Sequence, residues 1–326
     1  MYKVLGTVQI KSGERMEIGV IHAPDGERRE RLSEFLIHKG PDWVPQVEAA
    51  LAGPLDSMLS LFFVGQIGGR LVCHTVVSGD RRVGILGHVY TRPEDRRKGA
   101  IKALLDYLLA YCTPRYDVLS LMTGFDTAPY WIYHELGFRG VTPSSDEMLW
   151  QNSSKSLPFE AGSASVRPLE WGDWGFLNMM AFQADDGSQV PRSPLLGLKG
   201  AGHVEDTFIK FQMQRDSNST IQANALVSSK GTTVGWALLA PDTHWFGDVL
   251  ELDIYAHPNF IADLPQLAAS IELPSTTVFS YLTDPEGTRA EALCDIGFRH
   301  TAQIPGCLNA DGYRDLYIME HSEKRS

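Results

Sequence analysis

Two sequence blocks occur twice in this chain of 326 residues, in the same order each time. In the first half GHVYTRPEDRRKG precedes IYHELGFRG, and in the second half ELDIYAHPNFIAD precedes EALCDIGFRH. Pro93 corresponds to Pro258 at an offset of 165 residues, and Gly137 corresponds to Gly297 at an offset of 160. Two matched blocks at nearly one offset predict two copies of one domain-sized fold, arranged in tandem.

A polar segment separates the two copies. The residues NSSKSLPFEAGS are small and polar and include proline and glycine, which is typical of a linker. We therefore predict a first domain over residues 1–150, a linker over 151–163 and a second domain over 164–326.

Each copy alternates apolar runs with helix-like stretches. In the first copy the runs that predict strands are MEIGVIHAP, SLFFVGQI, RLVCHTVVSG, GILGHVYT, VLSLM and EMLWQ. The stretches that predict helices are GERRERLSEFLIHKG, WVPQVEAALAG, AIKALLDYLLAYC and APYWIYHEL. This order predicts a twisted, mixed, mostly antiparallel sheet flanked by helices, in the α/β or α+β class.

Composition limits the environment of the chain. No apolar run approaches the roughly 18 residues of a membrane-spanning helix, and the first residues lack the apolar core of a signal peptide. We therefore expect a cytoplasmic protein without a membrane partner. The cysteines are widely spaced and form no CxxC pair, which predicts reduced, buried thiols: Cys73, Cys112, Cys294 and Cys307. His134 and Glu135 lack the second histidine of a zinc-protease helix, so we expect no metal.

The negative charge of the chain is concentrated in its second half. Residues 1–150 contain 17 Lys and Arg against 18 Asp and Glu, whereas residues 151–326 contain 12 against 22. Binding of a nucleic-acid backbone needs a basic surface, so we expect no nucleic-acid partner. The acidic half is compatible with attraction of a cationic substrate, and equally with an acidic surface that maintains solubility.

Three cations precede an apolar helix in the first copy. Arg96, Arg97 and Lys98 stand directly before Gly99, and the apolar stripe that follows is Ile101, Leu104, Leu105, Leu108 and Cys112. Cations are unfavourable at a helix start, where four backbone N–H groups lack intrahelical partners. The pattern therefore suits a bound phosphate or pyrophosphate, which Gly99 would allow to approach the backbone. A solvated run of charges is the alternative.

On these residues the first half resembles the GNAT superfamily of acyl-CoA-dependent N-acetyltransferases. The family motif is a strand ending in V-x-x-x-P, followed by Q/R-x-x-G-x-G/A at a helix start; here it matches Val89, Pro93, Arg96 and Gly99. A later Y-x-x-x-G-F signature matches Tyr133, Gly137 and Phe138. The sequence departs from the family at Ile101, where a second Gly or Ala is usual. This side chain would either crowd a pyrophosphate or face the core.

The resemblance implies transfer of an acetyl group from acetyl-CoA to a primary amine of a small molecule or peptide. Backbone N–H groups near Val89, Tyr90 and Thr91 would hold the pantetheine arm and the thioester carbonyl. The pyrophosphate would be held by the Arg96 side chain and the following residues, namely Arg97, Lys98, Gly99, Ala100 and Ile101. The protein would act as a monomer or homodimer.

The resemblance and the residue types also suggest catalytic groups. Tyr133 would protonate the departing thiolate, although helical spacing alone fits an aromatic side chain packed on the core. His88 is a candidate for the base that deprotonates the amine, because an imidazole titrates near neutral pH. His74 on the neighbouring strand is a weaker candidate. Asp126 is a further candidate, as a base or as an anchor for the substrate ammonium group, and bulk water is the alternative to all three.

The second copy has lost the phosphate-binding residues. In register with Pro258, the positions of Arg96, Arg97, Lys98 and Gly99 hold Ile261, Ala262, Asp263 and Leu264. In register with Phe298, Leu293 replaces Tyr133. We therefore expect the second copy to complete the substrate cleft or to support the first through a buried interface. One face of a strand in the second copy carries Glu251, Asp253 and Tyr255. We expect these carboxylates to be solvated; the alternative is that they bind a cationic substrate.

Three functions fit these observations. The first is an acetyl-CoA-dependent N-acetyltransferase. The second is a non-catalytic sensor or scaffold that binds acyl-CoA, and the third is a structural pair of domains that binds no cofactor.

Overall fold

A computed structural model describes residues 1–36, 43–155, 158–183, 204–242, 245, 247–309 and 313–322. The chain divides into two compact units: Met1–Leu157 with Glu170–Gly175, and Pro158–Leu169 with Phe176–Ser326. The division falls within the segment 151–163. The limits 1–150 and 164–326 remain our proposal, because Glu170–Gly175 group with the first unit.

The first unit contains an eight-stranded sheet. Its strands are β1 (Tyr2–Gln9), β2 (Arg15–His22), β3 (Leu59–Ile67), β4 (Arg70–Gly79), β5 (Val83–Thr91), β6 (Val118–Met122), β7 (Arg139–Gly140) and β8 (Glu147–Gln151). Its described helices are α1 (Gly26–Leu36), α2 (Val44–Ala52), α3 (Ala100–Cys112) and α4 (Ala128–Glu135). The strand order is β1-β2-β3-β4-β5-β6-β8-β7, and only β5 and β6 pair in parallel.

Helices cover both faces of this sheet. On one face α3 buries Leu104, Leu105 and Leu108 in a core that includes Phe63 of β3. On the other face the Phe35 ring of α1 contacts His74 of β4 at a centroid distance of 6.2 Å. Because both faces are covered, β3 and β4 are buried along most of their length and show no alternation of apolar and polar residues.

The second unit repeats this arrangement with seven strands. Its strands are β9 (Ala164–Pro168), β10 (Gln222–Ser228), β11 (Thr233–Pro241), β12 (Leu250–Ala256), β13 (Val278–Leu282), β14 (Arg299–Asn309) and β15 (Tyr313–His321). Its described helices are α5 (Trp174–Gln183), α6 (Val204–Arg215), α7 (Leu264–Ala268) and α8 (Thr288–Asp295). The order is β14-β15-β13-β12-β11-β10-β9, and again one central pair, β12 and β13, is parallel.

The two strand orders are the same once β1 is set aside, so the predicted fold class and duplication are confirmed. Strand β1 was not predicted; it adds to the edge of the first sheet through antiparallel pairing with β2. Among the described residues, no helix combines the length and the apolarity needed to span a membrane.

The cysteine prediction is correct in part. Cys73 and Cys112 are buried free thiols. Cys294 is exposed, so its predicted burial is wrong; α8 turns Ala292 and Leu293 toward the core and leaves the next residue outside. The side chain of Cys307 lies outside the described residues.

Candidate functional site

The carboxyl ends of β5 and β6 diverge. The parallel pairing joins Val83 with Val118, Gly84 with Leu119, and Ile85 with Ser120. β5 continues for six more residues, to Thr91, without pairing to β6. Backbone groups on this edge of β5 therefore face a gap between parallel strands, and such gaps at the carboxyl ends of strands are frequent ligand sites. The predicted contact residues Val89, Tyr90 and Thr91 lie on this part of β5.

A bulge shapes the same part of β5. The β4–β5 register passes from Val76 opposite Gly87 to His74 opposite Tyr90, so two residues of β5 oppose Thr75 alone. His88, one of these two, has a φ of +53°, an uncommon conformation for a residue with a side chain. The Thr75 hydroxyl donates to the Gly87 carbonyl at 3.0 Å, and His74 Nδ1 donates to the His88 carbonyl at 3.2 Å. Side chains of β4 thus hold the bulge.

The cation-glycine segment lies between β5 and α3. Gly99 is the N-cap residue of α3 with a φ of +84°, and no side chain caps the helix. Arg97 also has a positive φ, of +63°. The first backbone N–H groups of α3 are therefore left without a side-chain acceptor, which is the arrangement that an anion can complete. Ile101 packs partly buried against the core, which favours the core-facing alternative for this departure from the family motif.

The three cations differ in their partners. Lys98 Nζ lies 3.0 Å from Asp95 Oδ1 and 3.5 Å from Glu14 Oε2, and the hydrogen bond to Asp95 raises the pKa of Lys98. Arg96 Nε donates to the Thr91 carbonyl at 3.2 Å, and its guanidinium lies 5.9 Å from the centre of the Tyr90 ring. Neither Arg96 nor Arg97 forms an ion pair with any described residue. A phosphate would therefore be held by Arg96 and Arg97, while Lys98 would contribute its backbone.

The turn between β1 and β2 reaches this segment, which sequence reasoning missed. The backbone N–H of Lys11 donates to the Lys98 carbonyl at 2.9 Å. The Lys11 side chain passes beside Gly99, where a Cβ would come within 3.2 Å of Lys11 Cγ. No local signal in the sequence joins these residues, because the contact spans more than 80 positions and depends on the unpredicted strand β1.

Tyr133 lies near the start of α3. Lys102 in the first turn of α3 pairs with Glu135 in the last turn of α4, with Nζ and Oε2 2.7 Å apart. This contact joins the last turn of α4, which carries Tyr133, to the first turn of α3, which follows the cation-glycine segment. Tyr133 is 7% exposed, its ring packs edge-on against Phe138 at 5.9 Å, and burial raises the pKa of its hydroxyl. The phenol is therefore protonated at neutral pH and can donate a proton.

The other proposed catalytic groups, His88, His74 and Asp126, each contact aromatic side chains. The His88 ring contacts Trp43, the residue before α2, at a centroid distance of 5.1 Å. His74 is fully buried between Phe35 and Phe62, as expected of a structural residue. Asp126 has a φ of +58°, is exposed, and accepts a hydrogen bond from Trp131 Nε1 at 2.9 Å.

The matching segment of the second unit has a different structure. Ile261, Ala262 and Asp263 belong to a 3-10 turn, and α7, which begins at Leu264, has only five residues. Asp263 accepts a hydrogen bond from Gln266, and Pro265 occupies the first turn of α7. A carboxylate at this helix start would repel a phosphate.

The predicted exposure of the second-unit carboxylates is wrong. Glu251 and Asp253 are each 1% exposed, and Tyr255 is 3% exposed. The sequence pattern indicated a strand with one solvated face, but α8 places Arg289 against Asp253, and this buried ion pair replaces the expected solvent contact. Burial, followed by the nearby Asp253 and Asp242, raises the pKa of Glu251 well above its usual value.

Neither the protein-family models nor the curated proteins that we compared match this chain. Many solved structures do, and GNAT acetyltransferases are among them. A putative acetyltransferase from Salmonella typhimurium, solved with its cofactor acetyl-CoA, is 14% identical with a TM-score of 0.41, and the match covers 51% of this chain and 96% of that one. A GNAT superfamily phosphinothricin acetyltransferase from Sinorhizobium meliloti, in complex with acetyl-CoA, is 12% identical with a TM-score of 0.39, covering 48% and 87%.

A ribosomal-protein-alanine N-acetyltransferase from Brucella melitensis is 15% identical with a TM-score of 0.37, and the match covers 49% of this chain and 99% of that one. Each match spans about half of the present chain. At such identities and TM-scores, function has to be argued from the residues of this chain itself.

Proposed function

We propose that the first unit is an N-acetyltransferase that transfers an acetyl group from acetyl-CoA to a primary amine of a small molecule or peptide. The observation that carries this proposal is the gap between β5 and β6, which opens beside the uncapped start of α3. Acetyl-CoA has an extended arm with amide groups and a diphosphate at its end. A site for it needs these two features side by side. The resemblance of Val89, Pro93, Arg96 and Gly99 to the GNAT motif supports the same ligand.

The residues present fit the coenzyme. The free edge of β5 over Leu86–Thr91 offers backbone donors and acceptors to the pantetheine amides. The diphosphate would contact backbone N–H groups from Arg97 to Ala100, with Arg96 and Arg97 as counter-ions. Gly99 adds no side chain to this backbone, and its φ of +84° together with the adjacent Lys11 disfavours any other residue there. Lys98, held by Asp95 and Glu14, would fix the shape of the segment.

Acetyl-CoA, when bound, supplies an activated acetyl thioester. Backbone N–H groups of β5 near the bulge would stabilise negative charge that develops on the thioester oxygen. The chain would hold the thioester beside the amine, so that a C–N bond forms as the C–S bond breaks, and positioning of this kind lowers the entropic part of the barrier. Tyr133 would donate its hydroxyl proton to the departing thiolate.

The amine must be deprotonated before it attacks. His88 is our first candidate for the base, because it lies in the bulge, within the part of β5 that does not pair with β6. Asp126 is better suited to anchor a substrate ammonium group, since its carboxylate is exposed and oriented by Trp131. Water is the remaining alternative for the base.

Two measurements on the full chain test the proposal. Acetyl-CoA at 100 times its dissociation constant should stabilise the protein by about 2.7 kcal/mol in a thermal-shift titration. A screen of polyamines, aminoglycosides, amino acids and short peptides should then identify an amine that causes thiol release. Binding without thiol release for any amine would favour the acyl-CoA sensor or scaffold. Absence of binding would contradict the proposal and favour a purely structural pair.

A further inference from the structure

The second unit has its own gap between parallel strands, and buried carboxyl groups line it. β12 and β13 pair only at Leu250 with Val278 and at Glu251 with Phe279. Glu251 and Asp253 face the same side of β12 and are each 1% exposed. Asp242, directly after β11, is 5% exposed, and its charge acts on Glu251 together with that of Asp253. Three acidic groups are therefore removed from solvent at one place in the sheet.

Two of these three carboxylates have donors. Asp253 accepts hydrogen bonds from Arg289 of α8 and, at 2.6 Å, from Trp236 Nε1. Asp242 accepts a hydrogen bond from the Tyr281 hydroxyl of β13. Among the described residues, Arg289 is the cation whose charge acts on Glu251, and one guanidinium cannot neutralise three carboxylates.

Glu251 is the group without a donor. Neither of its carboxyl oxygens accepts a hydrogen bond from a described residue, and Oε2 is fully enclosed. A buried ionised carboxylate in this situation is strongly unfavourable. Burial first, and then the charges of Asp253 and Asp242, raise its pKa, and Arg289 only partly offsets this effect. Burial without a donor therefore favours the protonated form of Glu251, and a bound cation could take the place of the proton.

Aromatic side chains connect this carboxyl group with solvent. Phe279 is the register partner of Glu251 and faces the same side of the sheet. The Trp245 ring lies 5.5 Å from Phe279, is 47% exposed, and donates from Nε1 to the Tyr281 hydroxyl at 2.7 Å. An aromatic surface therefore extends from the exterior to the buried carboxyl groups. Carboxylates combined with aromatic rings are the usual surroundings of a bound organic ammonium group.

We propose that this gap binds a primary alkylammonium ion, with its N–H groups on Glu251 and its alkyl chain against Phe279 and Trp245. The ammonium group supplies both the missing donor and the missing positive charge. On binding, Glu251 releases its proton to solvent, so charge in the gap is unchanged. All residues of this site belong to the second unit, so the proposal does not rest on the acetyl transfer proposed for the first.

Calorimetric titration of the full chain with n-butylammonium chloride tests this site. At neutral pH, titrations in two buffers of different ionisation enthalpy should show release of about one proton for each amine bound. Glu251→Gln should weaken binding by about tenfold or more and abolish proton release, because the charge partner is lost. Glu291→Gln, at an exposed position of α8, should change neither quantity.

Several results would overturn the proposal: no binding of n-butylammonium, equal binding of 1-butanol or potassium ion, or unchanged binding by Glu251→Gln. Should Glu251→Gln fail to fold, the wild-type protein still decides the question. Competition with the proton on Glu251 predicts that the apparent association constant rises by about tenfold per pH unit while this group is protonated. An association constant independent of pH would contradict the site.

Discussion

Lys102 and Glu135 form an ion pair between the first turn of α3 and the last turn of α4, with 2.7 Å between Nζ and Oε2. Each sequence motif of the first copy contributes one of these helices. The ion pair itself is exposed and adds little stability. Its importance is positional, because it joins the first turn of α3, which follows the cation-glycine segment, to the last turn of α4, which carries Tyr133.

Gly99→Glu should weaken coenzyme A binding by at least about tenfold. The change forces a φ of +84° on a residue with a side chain and puts a carboxylate at the start of α3. Gly231→Glu is the matched control, since Gly231 has a φ of +75° in the second unit and no atom within 4 Å of an added Cβ. Equal affinities for coenzyme A in the two variants, by calorimetry, would refute the phosphate site.

Arg96→Ala should also weaken coenzyme A binding, by about tenfold, because it removes a charge-assisted contact worth roughly 1.5 kcal/mol. The loss should shrink as salt is raised from low to high concentration. Arg81→Ala removes an exposed arginine elsewhere in the first unit and should leave the affinity unchanged. A loss of affinity that is the same in both arginine variants would point to net charge and away from a specific site.

Tyr133→Phe should lower kcat by about a hundredfold and leave the dissociation constant of coenzyme A unchanged. Burial raises the pKa of Tyr133, so loss of its proton should not reduce wild-type kcat up to pH 9.5. Tyr130→Phe alters a buried tyrosine of the same helix and should retain activity. A thiol-release assay gives kcat for both variants and thereby separates a catalytic role of Tyr133 from a structural one. Equal kcat for Tyr133→Phe and wild type would exclude Tyr133 as the general acid.

Arg70→Ala should destabilise the first unit by about 1 kcal/mol at pH 7, since it removes a partner of the buried Asp95 carboxylate, 2.8 Å away. The hydrogen bond from Arg70 lowers the pKa of Asp95. The stabilisation is therefore present above the ordinary carboxyl pKa near 3.9 and is lost as pH falls toward the lowered value. Thermal unfolding should show the variant and wild type converging in acid. Glu94→Gln, which breaks only the exposed pair with Arg70, should have a smaller effect.

Glu251→Gln should stabilise the second unit above pH 7. The pKa of Glu251 is raised in the folded state, so folding retains a proton that the unfolded chain loses as pH rises above its ordinary value. Wild-type stability therefore decreases with pH in this range, and the neutral amide removes the decrease. The Tm difference between variant and wild type should grow from pH 5 to pH 8. A constant difference would show that Glu251 is ionised in the folded protein.

The sequence predicts those features of the fold that are local. The spacing of Leu104, Leu105 and Leu108 predicts the buried face of α3. The motif residues predict where α3 begins, at Gly99, and where α4 ends, before Gly137. Strand β1 is not predicted, because its residues alternate irregularly between exposed and partly buried positions. The edge of a sheet gives such a strand only one neighbour.

The features that the sequence does not predict depend on residues far apart along the chain. Lys11 meets Gly99 only because β1 and β2 form a hairpin. Asp253 is buried because Arg289, 36 residues later, supplies its counter-ion. A pattern of alternating charged and apolar residues gives the face of a strand, but it does not say whether water or a guanidinium covers that face.

The β5 bulge is held by the side chains of Thr75 and His74, whereas β11 and β12 pair without interruption from Gly235 to Pro241. Because Trp236 pairs with Tyr255 as His74 pairs with Tyr90, the places of His74 and Thr75 hold Trp236 and Ala237. Trp236 Nε1 donates to the Asp253 carboxylate, and Ala237 has no polar side-chain atom to hold a displaced carbonyl. Side chains of β4 thus hold the extra residue of β5 in the first unit. Any alignment of the two halves must therefore open a gap inside this strand, and comparisons made without that gap will equate side chains that point to opposite sides.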